Sequence, residues 1–403
     1  MHWEREKPSA AEEKADGSAS SRPAWVTVLI VWAASRAFFF AFGALGHAFI
    51  GQADVPGGDP GAPGALSYWA HWDGRWFSEI AVDGYDRFAA TAFFPLYPLV
   101  VRGGTELGLG VALAGVLVST LATLAALYFI YQLALRWHGE RAALVSILAI
   151  AFFPTAFYLN AVYSDPLFLA LTAGCFWSLH VRRDILLAGL FGCLAAATRN
   201  IGVLLLLPIA YECLRVQRVL NWKVLTATAA PVFGLASYMV YLWVSKGDPL
   251  LFSKAYREVW GRGFANPFET LSEALERSAD GVFYLWPPTV LGTSSSGPPY
   301  LLSNTLNVWF LLFGCSALIL AVRRIPRGAL LYTVPATLAP LALDPGSFPL
   351  ASYPRYVLVV FPLFIALGAV LARSWTATVI WLLASASLGA YLTLLFVTWR
   401  WVA

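Results

Sequence analysis

The chain has 403 residues, 59% of them hydrophobic and only 12% charged, with a formal net charge of +4. Soluble domains carry about 25% charged residues, so an ordinary globular protein is excluded. So weak a positive charge, with no basic tract above loop background, also argues against a nucleic-acid partner.

Residues 1–23 are polar and rich in Ala and Ser, and read as a disordered cytoplasmic tail. The apolar run from Ala24 to Ile50 is too long for a signal-peptide core and reads as an uncleaved first span, with Arg36 near mid-depth. Further spans are expected over 109–135, 141–159, 163–181, 185–198, 201–214, 223–245, 304–322, 328–343, 356–372 and 375–398. Apolar stretches of roughly 20 residues suit a hydrocarbon core about 30 Å thick, and no strand alternation points to a barrel. The expected fold class is therefore an all-α polytopic membrane protein of about 11 helices. Pro208, Pro231, Pro335 and Pro340 are expected to kink or break their segments. No internal repeat is visible, which weighs against many secondary-transporter folds.

Between the first two spans lies Trp69 to Val82, where polar chemistry is densest. Read as one amphipathic helix, it places Trp69, Trp72, Trp76, Phe77 and Ile80 on one face, and His71, Gly74, Arg75, Ser78 and Glu79 on the other. Asp73 breaks the pattern by sitting within the aromatic face. Asp83-Gly84-Tyr85 reads as the turn that ends the helix, and Phe93-Phe94-Pro95 as an anchored turn.

Lysines and arginines set the orientation. Arg136, Arg141, Arg182, Arg183, Arg215, Arg218, Lys223, Arg323, Arg324, Arg327 and Arg373 all fall in the even connections, which are therefore expected on the cytoplasmic side with the tail. The odd connections, including a first loop over 51–108 and a large loop over 246–303, are expected outside, with Trp399 and Trp401 as an aromatic belt there. These outer connections hold most of the candidate site: Asp73, with Trp72, Arg75 and Tyr97, then Tyr163 and Asp165, Arg199 and Asn200, Arg257 and Arg262, and Arg355 and Tyr356. Guanidinium forks near membrane depth suit a phosphate, so Arg199 and Arg355, joined by Arg257 or Arg262, are candidates for one. Asp73 is a candidate general base. Bland readings stand beside these: Asp73 as a cap or paired with Arg75 or Arg36, Arg199 in a salt bridge to Asp165, and Arg355 as an interface anchor. Four scattered cysteines and five scattered histidines give no metal-ligand spacing, so neither metal nor cofactor is expected.

The motifs resemble a family, the PIG-V type mannosyltransferases. The resemblance rests on Trp72-Asp73-Gly74 with Phe77, Ile80, Ala81, Gly84 and Tyr85, and on Ala92-Phe93-Phe94-Pro95 with Pro98. It continues through Phe153-Pro154, Ala161, Tyr163-Ser164-Asp165, Leu167-Phe168, Ala197-Thr198-Arg199-Asn200, Gly202, Pro354-Arg355-Tyr356 and Phe361-Pro362. Members often carry Ser-Glu where this chain has Ser164-Asp165, and the segment Arg199-Asn200-Ile201-Gly202 has one polar residue fewer than the eukaryotic pattern.

The resemblance implies a GT-C glycosyltransferase, with 24–403 as a single transmembrane domain. It implies a polyprenyl-phosphate-mannose donor used on the outer face, inversion at the sugar without a metal, and Asp73 as the catalytic base. The expected partners are membrane lipids, that donor and a glycolipid or glycan acceptor, with a bacterial-type member rather than a GPI enzyme in view. Another polyprenyl-phosphate sugar is an alternative, and so is a lipid-linked sugar flippase, although polar residues crowd one face.

Overall fold

The computed structural model describes residues 23–53, 66–216, 218, 221–287, 297–343 and 348–402. The expected N-terminal tail up to residue 22, most of the 51–64 loop, and parts of the 246–303 and 344–355 connections lie outside the described residues. What is described is helical throughout, apart from one isolated bridge between Phe264 and Leu343.

Among the described residues, five helices are long and apolar enough to cross a membrane, fewer than the eleven or so spans expected. The first is α1, Ala24–Phe49. After a 3-10 turn at Ser67–Trp69 come two short amphipathic helices, α2 (Asp73–Asp83) and α3 (Leu96–Glu106). The second long helix is α4 (Val111–His138). A run of short helices follows: α5 (Glu140–Ala151), α6 (Asp165–Trp177), α7 (Ile185–Thr198) and α8 (Leu206–Tyr211). The long α9 (Trp222–Lys246) leads into α10 (Leu251–Trp260) and α11 (Pro267–Ser278). Last come α12 (Gly297–Val322), α13 (Arg327–Leu338), α14 (Tyr353–Leu358), α15 (Phe361–Leu371) and α16 (Trp375–Val397).

The short helices explain the difference in count. At 1.5 Å per residue, the 13 residues of α6 reach only about 20 Å, well short of a hydrocarbon core. The expected span 163–181 is completed by a π-helical segment at Ser178–Arg182, and 201–214 is divided into a 3-10 turn, α8 and another π segment. A helix ending at membrane depth leaves backbone groups that only protein can satisfy. The start of α6 at Asp165 and both ends of α14 are buried, and Thr155 Oγ1 donates to the Pro354 carbonyl at 2.9 Å. Pro231 and Pro335 lie inside helices, whereas α13 stops at Leu338 just before Pro340, and the helix that holds Pro208 spans only Leu206–Tyr211.

Small residues let one helix pair approach closely. A Cβ at Gly189 would lie 2.6 Å from the Ala227 backbone, and one at Gly234 only 2.0 Å from the Cys193 carbonyl. That seam lets α7 and α9 approach backbone to backbone. Arg36, buried in α1, binds no carboxylate among the described residues. It donates to the Ala156 and Ala151 carbonyls, both at 3.1 Å, and to Asn160 Oδ1.

Candidate active site

The stretch around Asp73 is not the single helix expected over 69–82. The 3-10 turn ends at Trp69, the backbone reverses at Trp72 (φ 56°, ψ −120°), and α2 begins at Asp73 itself. The periodic reading therefore fails at its start, and His71 and Gly74, expected on the wet face, are buried. Gly74 has a specific reason to be small, since a Cβ there would lie 3.3 Å from the Val162 carbonyl and 3.5 Å from the Tyr163 ring. The Val162 amide donates to the Trp69 carbonyl at 2.9 Å, tying this loop to the turn that precedes α6. Glu79 is paired with Arg87, while Arg75 lies over the Trp399 ring at 5.9 Å rather than in open water.

Four charges converge. Arg355 Nη1 donates to Asp73 Oδ2 at 2.6 Å, and Nη2 of the same guanidinium donates to Asp165 Oδ2 at 3.2 Å. The other oxygen of Asp165 accepts from Arg199 Nη1. The quartet holds two carboxylates and two guanidiniums, so it is formally neutral. Its members differ in access: the Asp165 side chain is 0% exposed and that of Arg355 6%, whereas Arg199 keeps 15% and Asp73 22%. Asp73 is therefore the reachable carboxylate.

Local structure aims each member. Asp73 and Asp165 are the first residues of α2 and α6, where unpaired amides and the helix dipole favour negative charge. Arg199 caps the C-terminal end of α7 in extended conformation, and the chain turns straight back through a 3-10 segment at Asn200–Leu205. That reversal requires Gly202, whose missing Cβ would fall 2.5 Å from the Ala195 and Ala196 backbone. Arg355 sits in the one-and-a-half-turn helix α14, over the rings of Tyr163 (4.6 Å) and Tyr158 (5.3 Å).

The predicted pairings resolve accordingly. Arg199 does bind Asp165, as the bland reading expected, yet through that carboxylate it joins the same cluster as Arg355. Asp73 pairs with neither Arg75 nor Arg36 but with Arg355. Arg262 reaches the edge of the site, donating to the Tyr356 hydroxyl at 2.8 Å, and the Tyr356 ring lies 5.3 Å below Arg199. Arg257 does not join them: its side chain is 65% exposed beside Glu258. Tyr97 is also elsewhere, buried and bonded to Gly115 and Ser119 of α4. Asn200 is exposed, with its side chain accepting from the adjacent Ile201 amide.

Three residues beyond the expected set frame Asp73. His71 stacks on Trp399 at 3.9 Å, with its Nδ1 3.1 Å from the Phe396 carbonyl, and Trp72 meets Trp399 and Trp401 edge to face. Burial pushes the His71 pKa down to about 4, against a smaller upward pull from that carbonyl. Trp399, expected in an outer aromatic belt, is 7% exposed and instead backs the loop that carries Asp73. Sequence gave no signal for this, because the contacts join residues more than 320 positions apart.

The cluster lies beside the N-terminal end of α4, where Ser119 Oγ is 3.5 Å from the Tyr163 carbonyl. Arg136, at the other end of that helix, is 17 residues or roughly 25 Å away. The site and that basic connection are thus well separated along α4.

Comparison with known proteins follows the same lines. Residues 62–237 match a family model described as mannosyltransferase (PIG-V), so the resemblance read from the motifs is borne out over that stretch. The chain is 36% identical to GPI alpha-1,6-mannosyltransferase 2 of Mus musculus over 154 residues, which are 35% of this chain and 30% of that protein. It is 30% identical to GPI mannosyltransferase 2 of Cryptococcus neoformans over 146 residues, 33% of this chain and 34% of that protein. The matched segment thus spans about a third of these relatives. Among solved structures, ArnT from Cupriavidus metallidurans bound to undecaprenyl phosphate superposes with a TM-score of 0.51 at 18% identity, covering 89% of this chain and 63% of that one. The all-helical GT-C architecture expected from the resemblance is the fold the two share.

Proposed function

We propose that this chain, similar to the PIG-V mannosyltransferases over its N-terminal half, transfers mannose from a polyprenyl-phosphate donor to a hydroxyl of a lipid-linked or cell-envelope acceptor. The observation that carries the reading is the Asp73–Arg355–Asp165–Arg199 quartet, which offers one reachable carboxylate beside two guanidiniums. ArnT, a protein of the same fold, was crystallised with undecaprenyl phosphate, which supports a polyprenyl carrier.

In this reading Asp73 accepts the acceptor's hydroxyl proton as that oxygen attacks the anomeric carbon from the side opposite the phosphate. Arg355 holds Oδ2 of Asp73, leaving Oδ1 to take the proton. Base catalysis of this kind contributes roughly 10²–10⁴ in rate. Arg199 and Arg355, with Arg262 at the rim through Tyr356, meet the phosphate and stabilise the charge that grows on it as the sugar departs. Arg355 Nε is buried with no hydrogen-bond partner among the described residues, and a charged donor left unmade is costly, which supports an anion completing it. Asp165, fully buried, fixes both guanidiniums and takes no proton. With positive charge supplied by arginine, the reaction is proposed to need no metal. The site is proposed to face away from the cytoplasm, because the basic connections gather away from it.

The test uses membranes containing the full chain and radiolabelled polyprenyl-phosphate mannose. Label should pass into a new glycoside with release of polyprenyl phosphate, and Asp73→Asn should abolish it. Full transfer by Asp73→Asn sinks the base assignment; relocation of the intact donor without a new glycosidic bond makes the protein a flippase instead.

A further inference from the structure

Tyr163 lies at the centre of the site without being reachable by a substrate. Expected to line the substrate, it is 1% exposed. Its ring carries the Arg355 guanidinium on one face at 4.6 Å. Its hydroxyl oxygen accepts from the Asp73 backbone amide at 3.2 Å and donates to the His71 carbonyl, also at 3.2 Å. One side chain thus touches both partners of the Asp73–Arg355 pair.

The residue between those two backbone contacts is Trp72, and its backbone is strained. With φ at 56° and ψ at −120° it occupies a region suited to glycine, at a cost of order 1–3 kcal/mol for other residues. Such a conformation persists only where its surroundings over-determine it. The Tyr163 hydroxyl bridges the peptide groups on either side of Trp72, and Trp399 and Trp401 pack against its indole. Turning at Trp72 is what makes Asp73 the first residue of α2 rather than part of a longer helix, and so directs its carboxylate at Arg355.

We propose that Tyr163 is a positioning residue for the proposed glycosyl transfer: its hydroxyl holds the strained turn at Trp72 that aims Asp73, while its ring fixes the Arg355 partner. This rests on Asp73 acting as base. A misplacement of about 1 Å at a reacting group is worth up to about a hundredfold in rate, which sets the scale.

The test measures initial rates with radiolabelled polyprenyl-phosphate mannose in membranes containing the full chain, with folding checked by thermal melting of the detergent-purified protein. Tyr163→Phe, which keeps the ring, should lower kcat about tenfold to a hundredfold, with the donor KM within about twofold and a folded melting profile. In a Trp72→Gly background, where a positive φ costs nothing, the same substitution should cost less than about threefold more. Trp72→Ala, which retains the strain, should be slower than Trp72→Gly, a comparison that stands even where Tyr163→Phe fails to fold. An unchanged kcat in Tyr163→Phe overturns the proposal, as does an equal loss in both backgrounds, a raised KM with kcat intact, or equal rates for Trp72→Ala and Trp72→Gly. Asp73→Asn run alongside separates the two claims: full activity there removes the base reading itself, whereas an inactive Asp73→Asn beside a fully active Tyr163→Phe removes only the role of Tyr163.

Discussion

Replacing Asp165 by Asn should damage stability and activity together. Asp165 is completely buried and accepts from both Arg199 and Arg355, so the substitution leaves two guanidiniums facing one carboxylate and a net charge of +1 in the protein interior. The Asn amide oxygen still accepts from one arginine, so one hydrogen bond to a charged partner, worth about 1.5–3 kcal/mol, is lost outright. With the uncompensated charge left behind, breaking a buried pair costs about 3–5 kcal/mol. Asp73→Asn removes one such contact from a carboxylate that is 22% exposed, so its stability loss should be smaller, about 1 kcal/mol after solvent screening, while transfer is abolished. The assay is thermal unfolding of both purified variants followed by tryptophan fluorescence, beside transfer from polyprenyl-phosphate mannose. An Asp165→Asn protein that melts with the wild type would refute the view of Asp165 as the buried counter-ion of both arginines.

Arg355→Lys should lose about a hundredfold or more in transfer, because a single ammonium lacks the fork that spans Asp73 and Asp165; steady-state rates check this. Gly202→Ala forces a Cβ to within 2.5 Å of the Ala195 and Ala196 backbone, so it should cost about 1–3 kcal/mol and weaken donor binding by shifting Arg199, both measurable on the purified variant. His71 is held neutral with its pKa lowered from 6.5 to about 4. Its contribution to stability is therefore complete above about pH 6.5 and is lost as pH falls toward 4, amounting to about 2 kcal/mol at pH 5. Melting at pH 5 and 7.5, compared with His71→Gln, should show that difference in the wild type and lose it in the variant.

Composition and apolar run length were enough to read a helical membrane protein, and the order of short motifs was enough to read a resemblance that a family model matches over residues 62–237. Two features escaped. Spans were read as whole helices, but α6 and α8 are fragments completed by 3-10 or π segments, and α14 stops at Leu358 before α15 begins. Apolar content fixes burial without fixing which hydrogen-bond pattern the backbone adopts inside protein. The register of the Asp73 stretch also failed, because a backbone reversal at Trp72 has no periodic signature. The charged residues that meet were readable where charge is expensive, as at Asp73, Asp165, Arg199 and Arg355. The apolar contact of the distant Trp399 was not readable, and Arg257, on an exposed helix, does not join the cluster.

The separations within the quartet also set an order of events during synthesis. Arg199 follows Asp165 by 34 residues, whereas Arg355 follows Asp73 by 282. At translation rates of about 5–20 residues per second, the first pair completes within about 2–7 s and the second only after about 14–56 s. For most of that interval α2 waits with a carboxylate whose partner has not left the ribosome. An inserted but unfinished bundle therefore carries a structurally settled Asp165–Arg199 half and an open Asp73. Arrival of α14 is thus recorded in the closing of a 2.6 Å contact with the opposite end of the sequence.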